Sequence, residues 1–229
     1  MKDIIERAVS LAVGLAAIAI AVVLVHREFF SSPQAPATAP ALPEYVANWS
    51  ELQSAGRLIG DSTAPVKVIE FADLECPFCR QFHTTLNDIG KRFDTKVAFV
   101  YVHLPLPNHR FARPAARAVE CAHEEGRFAA LVDRLYQGQD SLGLKSWSSY
   151  AAEAGIRDTL RFQHCLSDTS ALPYVERGVA AAEKHGISAT PTVIVNGWKF
   201  PKPPAIDELD AVIQQLLDGK HPFPKLASK

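Results

Sequence analysis

The strongest constraint on the fold of this chain is the point at which a strand-like run meets a helical pattern. Val66 to Phe71 is rich in β-branched and aromatic residues, which predicts a mostly buried strand. Apolar residues then recur at helical spacing from Phe78 to Phe93. Between the two segments stand Cys76 and Cys79, so the sequence predicts a Cys-x-x-Cys pair on a strand-to-helix turn.

Pro77 indicates where this helix begins, because proline is favoured at the first helical position, where its missing N–H is harmless. Cys76 then lies at the helix N-terminus, where unpaired N–H groups and the macrodipole favour an anion. Such a position lowers the pKa of a cysteine, and the thiolate is the form that attacks a disulfide. We therefore predict that Cys76 is the nucleophile and that Cys79 resolves the mixed disulfide that Cys76 forms.

Half of a zinc site is the alternative interpretation of Cys-x-x-Cys, and it requires a second ligand pair with related spacing. The other cysteines, Cys121 and Cys165, are isolated, and the eight histidines form no His-x-x-x-His pair near either. The sequence therefore favours redox chemistry over zinc. A third hypothesis is a metal chaperone in which Cys76 and Cys79 bind copper(I), since soft thiolates suit that ion.

Charge excludes one class of partner, because the 229 residues carry a formal net charge of −1 and no basic excess for binding nucleic acid. We expect no metal and no organic cofactor, since a disulfide itself carries the two electrons. Residues 44–229 have the usual size of one domain with its own core.

An apolar run over residues 8–25 contains only one serine and one glycine, and its 18 residues are just enough to span a bilayer. A cleaved signal peptide is the alternative, but the charged residues 26–28 follow where a small-x-small cleavage site is expected. We therefore predict an uncleaved membrane anchor in residues 1–30. Cleavage further on, in the alanine-rich residues 31–43, stays open.

The flanking charges predict the topology: two Lys or Arg precede the span and one follows it, which favours a cytoplasmic N-terminus. Disulfide chemistry favours the same topology, since disulfides persist outside the cytoplasm. Residues 31–43 are rich in Pro, Ala, Ser and Thr and carry no charge, which predicts an extended linker. We expect a single-pass protein of the bacterial inner membrane whose domain, residues 44–229, lies in the periplasm or an equivalent exterior space.

The folded part is predicted to begin with a βαβ unit. Ser50 to Leu58 is interpreted as a short helix or a lead-in segment. A second strand, Val97 to Val102, follows the Cys-x-x-Cys helix and should run parallel to the first strand. From Ala112 to about Ser167 the pattern is helical throughout, with breaks around residues 138–146 and at Gly155.

The C-terminal part predicts one more helix, Tyr174 to His185, and then a ββα unit. Asn196-Gly197 lies between two apolar runs, which is a strong signal for a tight hairpin. An apolar stripe from Ile206 to Leu216 predicts a closing amphipathic helix. The expected order is therefore β-α-β, helices, β-β-α.

With this order and two motifs, the sequence resembles the DsbA-like branch of the thioredoxin superfamily. The motifs are Phe-Ala-Asp-Leu-Glu-Cys-Pro-Phe-Cys at residues 71–79 and Ala-Thr-Pro-Thr at residues 189–192. The resemblance covers about residues 64–217. It implies an α/β thioredoxin fold with an all-helical subdomain inserted at about residues 109–171, after the N-terminal transmembrane helix.

The resemblance also implies that Thr190 and Pro191 form the family's cis-proline element, which lies beside the active-site disulfide and pairs with the backbone of a substrate. A cis X-Pro bond costs only about 0.5–1 kcal/mol. An ordinary trans proline at the start of an edge strand is the alternative.

Glu70 falls where the superfamily has a buried acid beneath the cysteines. Desolvation would raise the pKa of such a carboxyl, which could then shuttle a proton to or from Cys79. The alternative is that Glu70 points to solvent at the end of the strand. We expect Asp73 and Glu75 to be exposed loop acids that tune the local field.

The implied activity is thiol-disulfide exchange with protein thiols or disulfides outside the cytoplasm, in cooperation with a membrane redox partner. Oxidative disulfide formation is the favoured direction. A reductase or isomerase is the alternative, since Thr190 resembles those members as much as the oxidants. Phe78 departs from the best-known oxidant, which has a histidine there that phenylalanine cannot replace as a thiolate-stabilising group.

Cys121 and Cys165 both fall in the helical block. In an oxidising compartment, two unpaired cysteines in one small subdomain are expected to pair, so we predict a structural disulfide. The alternative is two buried thiols that pack as small apolar groups. A second redox pair is least favoured, because neither cysteine has the Cys-x-x-Cys geometry that lowers a pKa.

Overall fold

The computed structural model describes residues 2–30, 41–170 and 172–224, so most of the predicted linker lies outside the described residues. The chain divides into two compact units, Met1–Ala41 and Leu42–Lys229. The first contains helix α1 (Lys2–Phe30). Within it, Lys2–Arg27 is long and apolar enough to cross a membrane, with a mean hydropathy of 2.8. N-terminal signal sequences share these properties, so this finding fits both interpretations of the apolar run.

The second unit is built on a six-stranded sheet. In chain order the strands are β1 (Glu44–Tyr45), β2 (Arg57–Ile59), β3 (Val66–Ala72), β4 (Val97–His103), β5 (Thr192–Val195) and β6 (Trp198–Lys199). Their spatial order is β1-β6-β5-β3-β4-β2. The strands β3 and β4 are parallel, as predicted, and the other neighbouring pairs are antiparallel.

Helices follow and precede these strands in the expected order. They are α2 (Pro77–Phe93), α3 (Ala112–His123), α4 (Phe128–Gln137), α5 (Trp147–Glu153), α6 (Thr159–Ser167), α7 (Pro173–Lys184) and α8 (Ile206–Leu217). Short 3-10 segments occupy Trp49–Ala55, Asp94–Lys96 and Gln139–Ser141. The β5–β6 hairpin turns at Asn196-Gly197, as the sequence predicts.

Strand β3 is central and all seven of its residues are buried. Because side chains alternate along a strand, Val66 and Val68 pack with α2 and α8, whereas Ile69 and Phe71 pack in a separate group that includes residues of α7. A third apolar group fills the space among α3, α4, α5 and α6. Cys76 and Cys79 belong to this third group, so the helical part of the chain forms one wall of their surroundings.

The short helix that the sequence analysis allowed at Ser50 to Leu58 is present as the 3-10 segment Trp49–Ala55. The analysis missed the strand that follows it, Arg57–Ile59, which pairs antiparallel with Phe99–Tyr101. It also missed β1, because strands of two or three residues are too short to show alternation. Strands β1 and β2 are the outer strands of the sheet, where they pair with backbone groups of β6 and β4 that would otherwise lack partners. The helical block is also interrupted at residues 124–127, where Gly126 has a φ of +68°.

A disulfide joins Cys121 of α3 to Cys165 of α6 across a sequence separation of 44 residues, with Cα atoms 5.8 Å apart. It therefore ties the first helix of the helical block to the last. These helices lie inside residues 109–171, whose boundaries as an inserted subdomain stay a prediction.

Candidate active site

The N-terminus of α2 carries the Cys-x-x-Cys pair. Cys76 is the N-cap residue and Pro77 occupies the first turn. The carbonyl oxygen of Cys76 accepts a hydrogen bond from Arg80 N–H at 3.1 Å, the first bond of the helix. Both Cys76 and Cys79 are unbonded thiols, and their exposed fractions are 3% and 0%.

The Cys76 thiol is strongly acidic. A hydrogen bond from the Cys79 side chain is the largest influence and, with backbone N–H groups of Cys79 and Phe78, it lowers the pKa of Cys76 to about 5, although burial acts in the opposite direction. Since the ordinary value is near 9, Cys76 is a thiolate at neutral pH. The thiolate is the nucleophilic form of a cysteine, so Cys76 is ready to react.

Cys79 has the opposite character. Burial, together with the hydrogen bond to Cys76, raises the pKa of Cys79 far above its ordinary value. Its Sγ accepts a hydrogen bond from the backbone N–H of Asp73 at 3.5 Å. The two sulfurs therefore differ sharply in the ease with which they lose a proton.

Glu70 lies on the face of β3 that points towards α2, and 2% of it is exposed. Burial, and secondly the negative charge of Cys76, raises the pKa of Glu70 to about 8. Its Oε1 atom has no hydrogen-bond partner among the described residues. The carboxyl lines a cavity of about 160 Å³ that also reaches His83 and Asp133. Glu70 is thus a buried acid, and the solvent-facing alternative is wrong.

The expectation that Asp73 and Glu75 are exposed is also wrong. The side chain of Asp73 is fully buried, and that of Glu75 is partly buried and accepts a hydrogen bond from Phe111 N–H. Asp73 Oδ1 accepts from Glu75 N–H at 2.7 Å, and Oδ2 accepts from Leu106 N–H at 2.7 Å and pairs with His109 Nδ1 at 2.8 Å. A carboxylate with this many donors can be buried without a large penalty.

The Thr190–Pro191 peptide bond is cis, as the resemblance implied. It precedes β5, which pairs antiparallel with β3. The carbonyl oxygen of Thr190 lies 3.5 Å from Cys76 Sγ, close enough to accept a hydrogen bond from this sulfur when the thiol is protonated. The sheet thereby brings together two motifs that are 114 residues apart in the sequence.

Two residues that the sequence analysis missed come from α4 and the segment after it. Gln139 is buried, and its side-chain amide donates to the carbonyl oxygens of Leu74 at 2.8 Å and Cys76 at 3.0 Å. The Tyr136 hydroxyl donates to the Asp73 carbonyl at 3.4 Å. No local pattern marks either residue, because their partners are more than 60 residues away.

Within the described ranges, no three His, Cys, Asp or Glu side chains are grouped so that they could hold a metal ion. His83 and Asp133 pair with each other, with 2.5 Å between Nε2 and Oδ1. The arrangement around Cys76 and Cys79 is suited to exchanging one disulfide bond for another.

Comparison with known proteins agrees with this geometry. The family model described as Thioredoxin matches residues 53–215. This chain belongs to the thioredoxin family. Among solved structures it is similar to oxidised BdbD from Bacillus subtilis, with 23% identity and a TM-score of 0.65 over 80% of this chain and 100% of that one. Pseudomonas aeruginosa DsbA2 is 28% identical with a TM-score of 0.57, over 69% and 92% of the two chains.

The catalytic domain of Proteus mirabilis ScsC is similar as well, with 22% identity and a TM-score of 0.61 over 74% of this chain and 97% of that one. The predicted α/β thioredoxin fold is therefore confirmed, and the chain is similar to a structure of the DsbA type.

The curated relatives are much longer proteins. The chain is 36% identical over 155 residues to the Na(+)/H(+) antiporter NhaA 3 of Salinispora tropica, covering 67% of this chain and 24% of the relative. It is 32% identical over 167 residues to NhaA 1 of Salinispora arenicola, covering 72% and 25%. This chain thus spans about a quarter of the length of these relatives. Their names describe whole proteins, of which this chain resembles one segment.

Proposed function

We propose that this protein is a membrane-anchored thiol-disulfide oxidoreductase that forms disulfides in client proteins outside the cytoplasm. The observation that carries the proposal is the contrast between an acidic Cys76 at the N-terminus of α2 and a buried, weakly acidic Cys79. A stable Cys76 thiolate favours the reduced protein, and stabilising the reduced form makes the corresponding disulfide a stronger oxidant.

Oxidation of a client proceeds in two exchanges. A client thiolate attacks Cys76 Sγ, the Cys76–Cys79 bond breaks, and Cys79 leaves with the electron pair and takes a proton from Glu70. A second client thiolate then attacks the client sulfur of the mixed disulfide, and Cys76 leaves as a thiolate. The client loses two electrons and two protons. Glu70 regains the proton that it gave to Cys79, so the net result is one proton on Cys79 and one proton in solvent.

Thr190 and Pro191 would position the client. The Thr190 carbonyl is 3.5 Å from Cys76 Sγ, so an extended client segment that pairs with the Thr190 backbone would lie next to the Cys76 sulfur that its thiolate attacks. Backbone pairing selects an extended conformation rather than a sequence. We therefore expect many clients rather than one.

The direction of electron flow is tested by the reduction potential of the Cys76/Cys79 couple. The full-length protein in detergent is equilibrated with glutathione buffers, and the fraction of reduced protein is measured by thiol alkylation. We expect a value near that of DsbA, about −120 mV. A value near that of thioredoxin, about −270 mV, would contradict oxidation and favour the reductase or isomerase role that Thr190 also suits.

Membrane anchoring is a separate part of the proposal. Helix α1 is long and apolar enough to span a bilayer, and a redox partner in the same membrane would restore the disulfide. We expect the full-length protein to stay in the membrane pellet after an alkaline wash, and external protease to release the domain only when the outer membrane is opened. Recovery of a shortened, soluble protein would instead indicate signal cleavage.

A further inference from the structure

Asp73 is the residue that joins β3 to the active-site turn, and its polar atoms are engaged on every side. Its carboxylate accepts from two backbone N–H groups and pairs with His109. Its carbonyl accepts from Cys76 N–H at 3.1 Å and from Tyr136 OH at 3.4 Å. Its own N–H points at Cys79 Sγ from 3.5 Å.

That last contact is placed where charge develops during disulfide exchange. Cys79 is fully buried, so water does not solvate a thiolate on its sulfur. A fixed N–H group aimed at a developing negative charge stabilises it strongly in such surroundings. Leaving-group ability in thiol-disulfide exchange improves as the departing thiol becomes more acidic.

The direction of this N–H is set from several elements. Leu106 and His109, which bind the Asp73 carboxylate, lie in the loop between β4 and α3, and Tyr136 lies on α4. The side chain and the backbone of Asp73 are therefore held by these three residues. In the described structure, none of the three forms a hydrogen bond with Cys79 itself.

We propose that Asp73 is a positioning residue for the opening of the Cys76–Cys79 disulfide: its anchored carboxylate holds its own N–H towards Cys79 Sγ. The inference rests on the proposed function. An attacking thiolate bonds to Cys76 Sγ, the S–S bond breaks, and the electron pair stays on Cys79 Sγ. The Asp73 N–H stabilises that charge until the sulfur is protonated. In agreement, burial raises the pKa of Cys79, whereas the hydrogen bond from Asp73 acts to lower it.

Asp73→Asn tests the proposal, because the new NH₂ group would face the Leu106 N–H, donor against donor, and disturb the anchor. The oxidised full-length protein in detergent is mixed with dithiothreitol, and the rate of disulfide opening is followed by stopped flow. We expect opening to slow by on the order of 10-fold. Asp88→Asn is the matched control, since Asp88 is a partly exposed acid on α2, and its rate should equal the wild-type rate.

A second readout separates positioning of Cys79 from a general disturbance of the turn. The thiolate absorbance of Cys76, titrated in the reduced protein, should be the same in Asp73→Asn and wild type. A wild-type opening rate in a folded Asp73→Asn variant would overturn the proposal. So would a slow rate accompanied by a changed Cys76 titration, because the whole turn would then have moved.

Variants of His109 decide the matter if Asp73→Asn does not fold. His109→Ala removes one donor to the carboxylate and should slow opening by a few fold, on the order of 3-fold. His109→Gln keeps a donor and should restore most of the rate. Equal rates in both variants would contradict the proposal. Opening of the disulfide by dithiothreitol requires no client protein. If Asp73→Asn slows this opening but the wild-type protein does not oxidise client thiols, the proposed function is overturned and the role of Asp73 is not.

Discussion

Cys76→Ser is expected to abolish both the oxidation of dithiols and the reduction of disulfides. A serine hydroxyl cannot form the disulfide that carries the two electrons, and it is not ionised at neutral pH as Cys76 is with its pKa of about 5. Activity is measured by the refolding of a reduced client protein. Cys121 and Cys165 are joined to each other by a disulfide and should not substitute for the missing thiol.

Cys79→Ser should behave differently from Cys76→Ser, because the attacking thiol remains while the resolving thiol is lost. Such a variant forms mixed disulfides through Cys76 and releases them slowly. We expect covalent adducts on non-reducing gels for Cys79→Ser that are absent from Cys76→Ser and from the double variant. Adducts formed equally by the Cys76→Ser protein, or retention of turnover by it, would contradict the assignment of roles.

Glu70 is expected to make the stability of the reduced protein fall as pH rises. The pKa of this carboxyl is about 8 in the folded protein against 4.5 when exposed. Between these values the folded state keeps the proton that the unfolded state releases. The contribution of Glu70 is therefore complete below about pH 4.5 and is lost progressively as pH approaches 8. A shift of this size corresponds to at most about 4–5 kcal/mol.

Glu70→Gln removes this contribution. Cys76, whose pKa is lowered from 9.0 to about 5, acts in the opposite direction over the same range, so the stability of the reduced Glu70→Gln variant should rise more steeply with pH than that of the wild type. The free energy of unfolding is measured by urea denaturation of the reduced protein between about pH 5 and about pH 9. Glu183→Gln, at an exposed position of α7, is the matched control and should follow the wild-type curve. Identical slopes for wild type and Glu70→Gln would show that Glu70 is ionised in the folded protein throughout this range.

The parts of the site that could be predicted from sequence are those that depend on neighbouring residues. Pro77 and the apolar spacing after Phe78 place Cys76 at the start of α2, and Asn196-Gly197 defines the β5–β6 turn. The cis bond before Pro191 followed from resemblance, since a proline alone does not distinguish cis from trans.

What the sequence analysis missed depends on distant partners. Asp73 is buried because Leu106 and His109, more than 30 residues away, supply donors to its carboxylate. Gln139 reaches the Leu74 and Cys76 carbonyls from the short 3-10 segment that follows α4. Strands β1 and β2 lie at the two edges of the sheet, and neither is long enough to have a periodic pattern of its own. Hydrogen bonds to a turn leave no trace in local composition.

The Cys121–Cys165 disulfide between α3 and α6 affects how the protein matures as well as how it folds. Closing a loop of 44 residues is worth about 4 kcal/mol in the chain-entropy account of disulfides. Under the proposed function, each newly exported copy arrives with two thiols at Cys121 and Cys165 and is itself a client before it is a catalyst. Mature copies would then accelerate the maturation of later ones, and copies retained in a reducing compartment would lack this cross-link.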